Sequence, residues 1–382
     1  MYTLGAYGLM LADRVRVDAY AQALRKTVRE GSVVVEIGTG PGVFAVLACQ
    51  LGAGRVYAIE PSEVIQVARE VAVANDCANK IEFFEEFSNR VTLPTRADVI
   101  LSDLRGVLPL LQRHIPAIVD ARRRFLAPGG SLIPRMDTLW AAIVEAPKSY
   151  EKIVDPWDQN PFGQDLSPAR RLIVNNSRKV RVGPNQLLTV HRLWATLDYS
   201  SVEDPDVRGN LDWRVERAGI GHGILVWFDA DLAEGIGISN APSAPKTIYS
   251  SFFLPWTQPV SLAAGQAVGV NLEAKLVEND YVWRWTTRIK PLEGSGAPHI
   301  HFEQSRLTGE VLSPAHLLRG AADYVPRLSE EGHLRRRTFD LMDGKVSLEE
   351  IAHRLATEFP HRFPKWEHAL SYAGGISQEY SR

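Results

Sequence analysis

VVVEIGTGPG, residues 33–42, is the stretch on which the fold turns. Its first five residues, mostly β-branched, read as a buried strand. Three glycines follow at once, Gly38, Gly40 and Gly42, and then a helical apolar pattern, GVFAVLACQLGA. Glycines at such a turn let the backbone approach a ligand closely, and the helix that follows offers unpaired N–H groups. A strand, a glycine turn and a helix in this order predict a ligand-binding α/β unit.

Three further strands are predicted at VYAIE (56–60), IEFF (81–84) and DVILSD (98–103), with helical patterns such as EVIQVAREVAVAN between them. That alternation predicts a parallel, doubly wound sheet. LAPGGSLIP (126–134) reads as a Gly/Pro turn into another strand. From about 139 to 290 the period changes to two, in LLTVHRLWATLDY, GILVWFDADL, AVGVNLEAKLV and YVWRWTTRI, which predicts an antiparallel barrel or sandwich. After about 305 the chain reads as helical. VSLEEIAHRLATEF carries one apolar face, with Ser347 and Glu350 as a capping box.

Composition excludes several classes. The chain has 382 residues, 45% apolar and 23% charged, with a net charge of −2. Nothing in that balance argues for nucleic acid or an anionic membrane surface. No apolar window approaches the ~18 residues of a membrane span. Cys49 and Cys77 read as isolated thiols in apolar helical patterns, which predicts neither a disulfide framework nor a zinc site and favours a reducing, cytoplasmic setting. His299 and His301 share a strand face without further ligands nearby, so no metal is expected. Residues 321–382 hold nine Lys/Arg against ten Asp/Glu, which argues against DNA reading there.

Glu60 ends the second strand, where a carboxylate can accept hydrogen bonds from ribose hydroxyls. Three readings of the turn stay open. A dinucleotide enzyme would set a pyrophosphate on it. An S-adenosylmethionine site has no phosphate and follows a strand that carries an acid, here Glu36. A structural glycine turn would bind nothing. Glu36 and the later LAPGGSLIP turn put the weight on the S-adenosylmethionine reading.

Five motifs in order, MLADRVRVDAY, EIGTGPG, AIEPS, the SDLRG loop and ARRRFLAPGGSLIP, resemble the protein arginine methyltransferases. HGILVWFDADL and SNAPSAPKTIYSSFFLP are similar to that family's barrel, and PFGQDLSP to the place where its dimerisation arm projects. The resemblance covers about residues 5–290. It implies an α/β fold: a Rossmann-like S-adenosylmethionine-dependent methyltransferase domain (1–137), then an antiparallel β-barrel substrate domain (138–305) with a dimerisation segment at about 155–168. A small helical C-terminal domain (306–382) follows; it resembles the winged-helix modules appended to bacterial peptide-modifying enzymes.

The same resemblance implies site residues. Met10 and Arg16 match the first helix, which covers the cofactor and pairs with its carboxylate. Glu36, Gly38, Gly40 and Gly42 match the cofactor turn, Glu60 the ribose acid, and Ser88 and Asn89 the adenine contacts. Family members usually grip a guanidinium between two glutamates of the loop after the fourth strand. Here SDLRGVLPLLQ (102–112) has Asp103 and Gln112 at those places, implied to be the catalytic pair. Leu104-Arg105 stands for a Trp-Met, Thr247-Ile248-Tyr249 for a Thr-His-Trp, and Tyr7 for a histidine, so Asp13 loses its usual partner. Tyr7, Asp13, Arg105 and Tyr249 are thus expected to line the substrate pocket. The implied function is methyl transfer to a peptide or protein side chain by a homodimer, with arginine the leading acceptor. A non-arginine peptide group or small natural product is the first alternative, and a catalytically weak binding protein with the same fold is the second.

Overall fold

The computed structural model describes residues 2–292 and 298–381. Two compact units divide the chain, one up to Glu310 and one from Val311. The first begins with α1 (Leu4–Ala12) and α2 (Arg14–Thr27). Then come β1 (Val33–Ile37), α3 (Val43–Gln50), β2 (Arg55–Ile59), α4 (Ile65–Ala74), β3 (Ile81–Phe84), β4 (Ala97–Ser102), α5 (His114–Arg124) and β5 (Leu126–Ile133). The five strands form one parallel sheet in the order β3-β2-β1-β4-β5. The predicted doubly wound sheet is therefore present. Continuous apolar strands such as VVVEI and ADVILS fit because helices cover both faces. β5 starts earlier than expected and takes the Gly/Pro stretch into the strand itself, with a register shift against β4 near Ala97 and Val99.

Strand order reverses between β1 and β4, since β2 and β3 lie on one side and β5 on the other. In such sheets the ligand crevice lies beyond the C-terminal ends of the strands at this point. The glycine turn after β1 and the SDLRG loop after β4 both emerge there.

The remainder of the first unit is β6 (Met136–Val144), α6 (Pro147–Asp158), α7 (Ser167–Ile173), β7 (Arg178–Val180), β8 (Arg192–Asp198), β9 (Val207–Arg214), β10 (Gly219–Ala233), β11 (Ile236–Ser239), β12 (Ser251–Leu262), β13 (Ala267–Val277), β14 (Asp280–Ile289), β15 (Ile300–Ser305) and α8 (Arg306–Gly309). These strands make two antiparallel sheets, β7-β12-β10-β6-β8 with β11 beside β10, and β15-β14-β13-β9. β8 and β9 lie side by side, but no ladder joins them among the described residues, so backbone pairing does not close the two sheets into a barrel at that seam. Trp194, Trp256, Trp283 and Trp285, at 7% exposed or less, fill the space between them. Their large surfaces and the period-2 alternation explain why these strands bury one face so completely.

Residues 155–168 are partly helical. Trp157 belongs to α6, which accommodates Pro156, and Phe162 lies in the link to α7 with 81% of its surface exposed. Cys49 and Cys77 also depart from expectation. They are joined in a disulfide, with Cα atoms 6.2 Å apart. The ends of α3 and α4 lie side by side, and that proximity was invisible at a separation of 28 residues. The thiol argument for a reducing compartment is withdrawn with it.

The second unit holds α9 (Pro314–Arg319), α10 (Glu330–Leu341), α11 (Leu348–Glu358) and α12 (Trp366–Tyr380). Its core is Leu334, Leu341, Ile351, Ala352, Leu355, Phe363, Ala369 and Ala373. The Ser347 cap forms, its hydroxyl accepting from the Glu350 amide at 3.2 Å. No strand occurs among its described residues, so the wing of a winged helix is missing from them. Residues 311–328 lack the alternating apolar pattern that a wing strand requires.

One buried polar clamp tests the packing. Gln304, 2% exposed, accepts from Trp285 Nε1 at 2.9 Å and donates to the carbonyls of Val174 (2.8 Å) and Pro255 (3.0 Å). It ties β15 to β14, β12 and the end of α7. Gln304→Leu strands one donor and two acceptors, each worth about 1–3 kcal/mol when left buried and unpaired. Urea unfolding should show a loss of at least about 2 kcal/mol. Wild-type stability in this variant would mean that water replaces the clamp.

Candidate active site

The glycine turn is built for close approach. Gly38, Gly40 and Gly42 have φ of 78°, 51° and 82°, a region that costs other residues energy. A Cβ at Gly38 would fall 2.5 Å from Leu104, at Gly40 2.7 Å from the Tyr7 ring, and at Gly42 2.8 Å from the Ala68 Cβ. The turn thus touches α1 on one side and the SDLRG loop on another. Glu60, 7% exposed, accepts from the Gly40 amide at 3.1 Å and from the Ser62 amide and hydroxyl at 3.1 and 2.6 Å. A carboxylate has about four lone-pair positions, so about one is left for a ligand hydroxyl. Glu36, 4% exposed, lies on β1 directly below, and burial pushes its carboxyl up to about 8 against the opposing Thr39 hydroxyl at 2.6 Å. Bare backbone, a buried acid with room for one more hydrogen bond and a second acid beneath the turn fit S-adenosylmethionine.

On the other side of the crevice, Asp103 is the convergence point. Its Oδ2 accepts from Arg16 Nε at 2.6 Å, and both of its oxygens accept from the Tyr249 hydroxyl, at 2.7 and 2.9 Å. Arg105 Nε lies 3.5 Å from Oδ1. Burial alone would raise the Asp103 pKa, but Arg16, Arg105 and Tyr249 outweigh it and hold the carboxyl below the usual range. Arg16 and Asp103 each keep only 10% of their side chains exposed.

Behind this pair runs a second one. The Arg105 side chain has no exposed surface. It stacks 4.9 Å over the Phe228 ring, and its Nη1 stands 3.0 Å from Asp137 Oδ1 without an aligned hydrogen bond. Asp137 is held in turn by the Tyr199 hydroxyl at 2.5 Å, and Tyr199 contacts His114 Nε2 at 3.1 Å. Tyr199 spends its proton on Asp137, so His114 is the donor in the last contact. Burial and the Arg105 charge hold His114 neutral, with its pKa down at about 3.

The other sequence-derived positions fall as follows. Asp13 caps α2, accepting from the Arg16 amide at 3.1 Å, and also accepts from the Ile248 amide at 2.7 Å. A backbone N–H thus meets the carboxylate that lacks a histidine. The Met10 carbonyl reaches Arg16 at 3.4 Å. Ser88 is buried and its carbonyl accepts from Arg124, while Asn89 is exposed. Gln112 is exposed, with φ of 45° and no hydrogen bond to the Asp103 cluster. Among the described residues no group of three or more His, Cys, Asp or Glu side chains could hold a metal ion, and no helix is long and apolar enough to cross a membrane.

Sequence reasoning missed Asp137, Tyr199, His114 and Asn240. Asn240, 4% exposed, accepts from the Phe228 amide at 2.7 Å and donates to the Val107 carbonyl at 2.8 Å and to that of Ser250, which fixes the SDLRG loop to β10. Asp137 carried one readable signal, an acid at the start of an otherwise apolar strand, MDTLWAAIV.

Known proteins resemble this chain in sequence and in fold. Residues 20–134 match the family described as ribosomal protein L11 methyltransferase (PrmA), and residues 136–283 the arginine methyltransferase oligomerization subdomain. The chain is 25% identical over 272 residues to protein arginine N-methyltransferase 1 of Dictyostelium discoideum, covering 69% of this chain and 80% of that one. It is 29% identical over 259 residues to protein arginine N-methyltransferase 6 of Xenopus tropicalis, covering 64% and 76%. In fold it is similar to protein arginine methyltransferase 10 of Arabidopsis thaliana (TM-score 0.69, 23% identity, 79% of this chain and 97% of that one). It is similar also to the Trypanosoma brucei PRMT1 enzyme-prozyme heterotetrameric complex with AdoHcy (TM-score 0.72, 19% identity, 79% and 98%).

The raised Glu36 carboxyl makes a pH prediction. The fold holds this proton up to about 8, against an ordinary 4.5. Its stabilising contribution is therefore full below 4.5 and is lost as pH rises through about 8. Glu36→Gln keeps a neutral side chain of the same shape. Urea midpoints should show the variant gaining on wild type between pH 5 and pH 8, and a constant difference would show that Glu36 is ionised throughout.

Proposed function

We propose, on the premise that this chain is a relative of the protein arginine methyltransferases with their architecture, that it is an S-adenosylmethionine-dependent methyltransferase acting on a side chain of a peptide or protein. The observation that carries this reading is the meeting of two loops at one switch point. The bare glycine turn with Glu36 and Glu60 faces a loop whose buried carboxylate, Asp103, is oriented by three side chains. S-adenosylmethionine supplies an electrophilic methyl group on a sulfonium. The protein supplies position and electrostatics. Arg16, Met10 and Tyr7 would enclose the cofactor, and Asp103, steadied by Tyr249, would orient the acceptor.

Arginine is the acceptor that the family architecture brings first. A second reading, a non-arginine peptide group, is favoured by one observation: both oxygens of Asp103 are already engaged, and Gln112 is exposed. A homodimer formed through the segment around Trp157 and Phe162 belongs to the same proposal. Phe162, exposed on the link between α6 and α7, is the surface feature that supports it.

Two measurements test these readings. Formation of S-adenosylhomocysteine with a peptide library should be detected, and Asp103→Asn should reduce it by at least about tenfold while calorimetric affinity for S-adenosylhomocysteine changes little. Full turnover in that variant would remove Asp103 from the chemistry. Light scattering at micromolar concentration should give twice the chain mass, and Trp157→Ala with Phe162→Ala should halve it. A wild-type monomer would end the dimer proposal.

A further inference from the structure

We infer that edge strand β7 and the segment before β12 form a docking point, beside the acceptor pocket, for a carboxylate side chain of the substrate peptide. The inference rests on the methyltransferase reading and deepens it, since it names the sequence context in which the acceptor is taken.

Charge marks the place. Residues 175–183, NNSRKVRVG, and 240–251, NAPSAPKTIYSS, contain Arg178, Lys179, Arg181 and Lys246 and no Asp or Glu. β7 is the edge of its sheet. Val180 and Val182 turn into the core beneath α6, and strand alternation puts Lys179 and Arg181 on the other face. There they meet residues 247–249. Lys179 Nζ donates to the Ile248 carbonyl, and Arg181 Nη2 donates to the Thr247 carbonyl at 2.9 Å. Two positive charges are thus held together on neutral backbone acceptors. Among the described residues no carboxylate pairs with either, whereas Arg170 and Arg217 pair with Asp158 and Glu145. Burial and the Arg181 charge push the Lys179 pKa down, as befits a cation with no answering anion.

A recess lies beside them. A cavity of about 20 Å³ is lined by Arg181, Asn240, Thr247, Ser250 and Ser251 among others. Such space holds about one oxygen-sized group. Thr247 is 5% exposed, and its hydroxyl has no hydrogen-bond partner. Asn240 is already engaged with Phe228, Val107 and Ser250. A carboxylate brings the lone pairs that the Thr247 hydroxyl lacks and the negative charge that Arg181 and Lys179 lack. A neutral amide side chain brings only the first.

The same segment reaches the acceptor pocket. The Ile248 amide donates to Asp13 and the Tyr249 hydroxyl to Asp103. Two residues of extended chain span at most about 7 Å. A peptide whose acceptor meets Asp103 therefore brings a residue a few positions away to Arg181.

The experiment follows short labelled peptides by fluorescence anisotropy against the full-length protein, with and without S-adenosylhomocysteine. Each peptide has one central arginine and either a glutamate or a glutamine at one flanking position, the position being moved along the series. At one or two adjacent positions glutamate is expected to bind about five- to tenfold tighter than glutamine. Lys179→Gln/Arg181→Gln should abolish that advantage and leave calorimetric affinity for S-adenosylhomocysteine unchanged. Should circular dichroism show the double variant unfolded, Thr247→Val takes its place, since it removes the hydroxyl at nearly constant shape and should reduce the advantage. No glutamate advantage at any position, or one that the variants keep in full, overturns the inference. So does saturable binding of inorganic phosphate that Lys179→Gln/Arg181→Gln abolishes while the peptides show no glutamate preference, which would make the recess a small-anion site only. Failure of S-adenosylhomocysteine to bind would end the methyltransferase reading instead, and the peptide series would still decide the docking point.

Discussion

A carboxylate can be buried only if something answers its charge, and Asp103 is where this molecule meets that demand. Two of its partners come from distant parts of the chain, Arg16 from α2 and Tyr249 from the segment before β12, and the third, Arg105, stands two residues along the same loop. Each partner fixes a different element. α2 is drawn onto the end of β4, the loop is folded back on itself, and the antiparallel sheets are seated against the parallel one. Arg105 in turn needs Asp137, and Asp137 needs Tyr199. The interface between the α/β layer and the sheets is thus organised by a short polar chain set in an apolar core.

The parallel sheet was legible because burial on both faces leaves an unmistakable residue pattern. VVVEI, IEFF and DVILSD each mark a strand to within a residue of where it lies. The antiparallel region was legible as strands but not as a closed or open sheet. Alternation records which face is buried and says nothing about whether β8 reaches β9. Local pattern also could not give the Cys49–Cys77 pairing, which depends on how two helices pack.

The candidate site divides along the same line. The glycines are visible in sequence because their backbone conformation excludes other residues, and Glu36 and Glu60 because acids at strand ends are conspicuous. Tyr249 and Asp13 were expected in the pocket, yet their partners could not be read: the tyrosine reaches Asp103, and Asp13 takes a backbone amide. Asp137, Tyr199 and His114 were missed altogether. They are ordinary residues in strands and a helix, and only the tertiary fold brings them to Arg105.

α1 has a consequence of its own. None of its residues is buried, whereas α2 behind it carries Tyr20, Ala23 and Leu24 with no exposed surface. Little buried surface therefore holds α1 in place, and its amides are expected to exchange with solvent faster than those of α2. Tyr7, which packs on Gly40, is held by little buried surface, so the covering of the glycine turn on that side rests on a local free energy distinct from the stability of the fold.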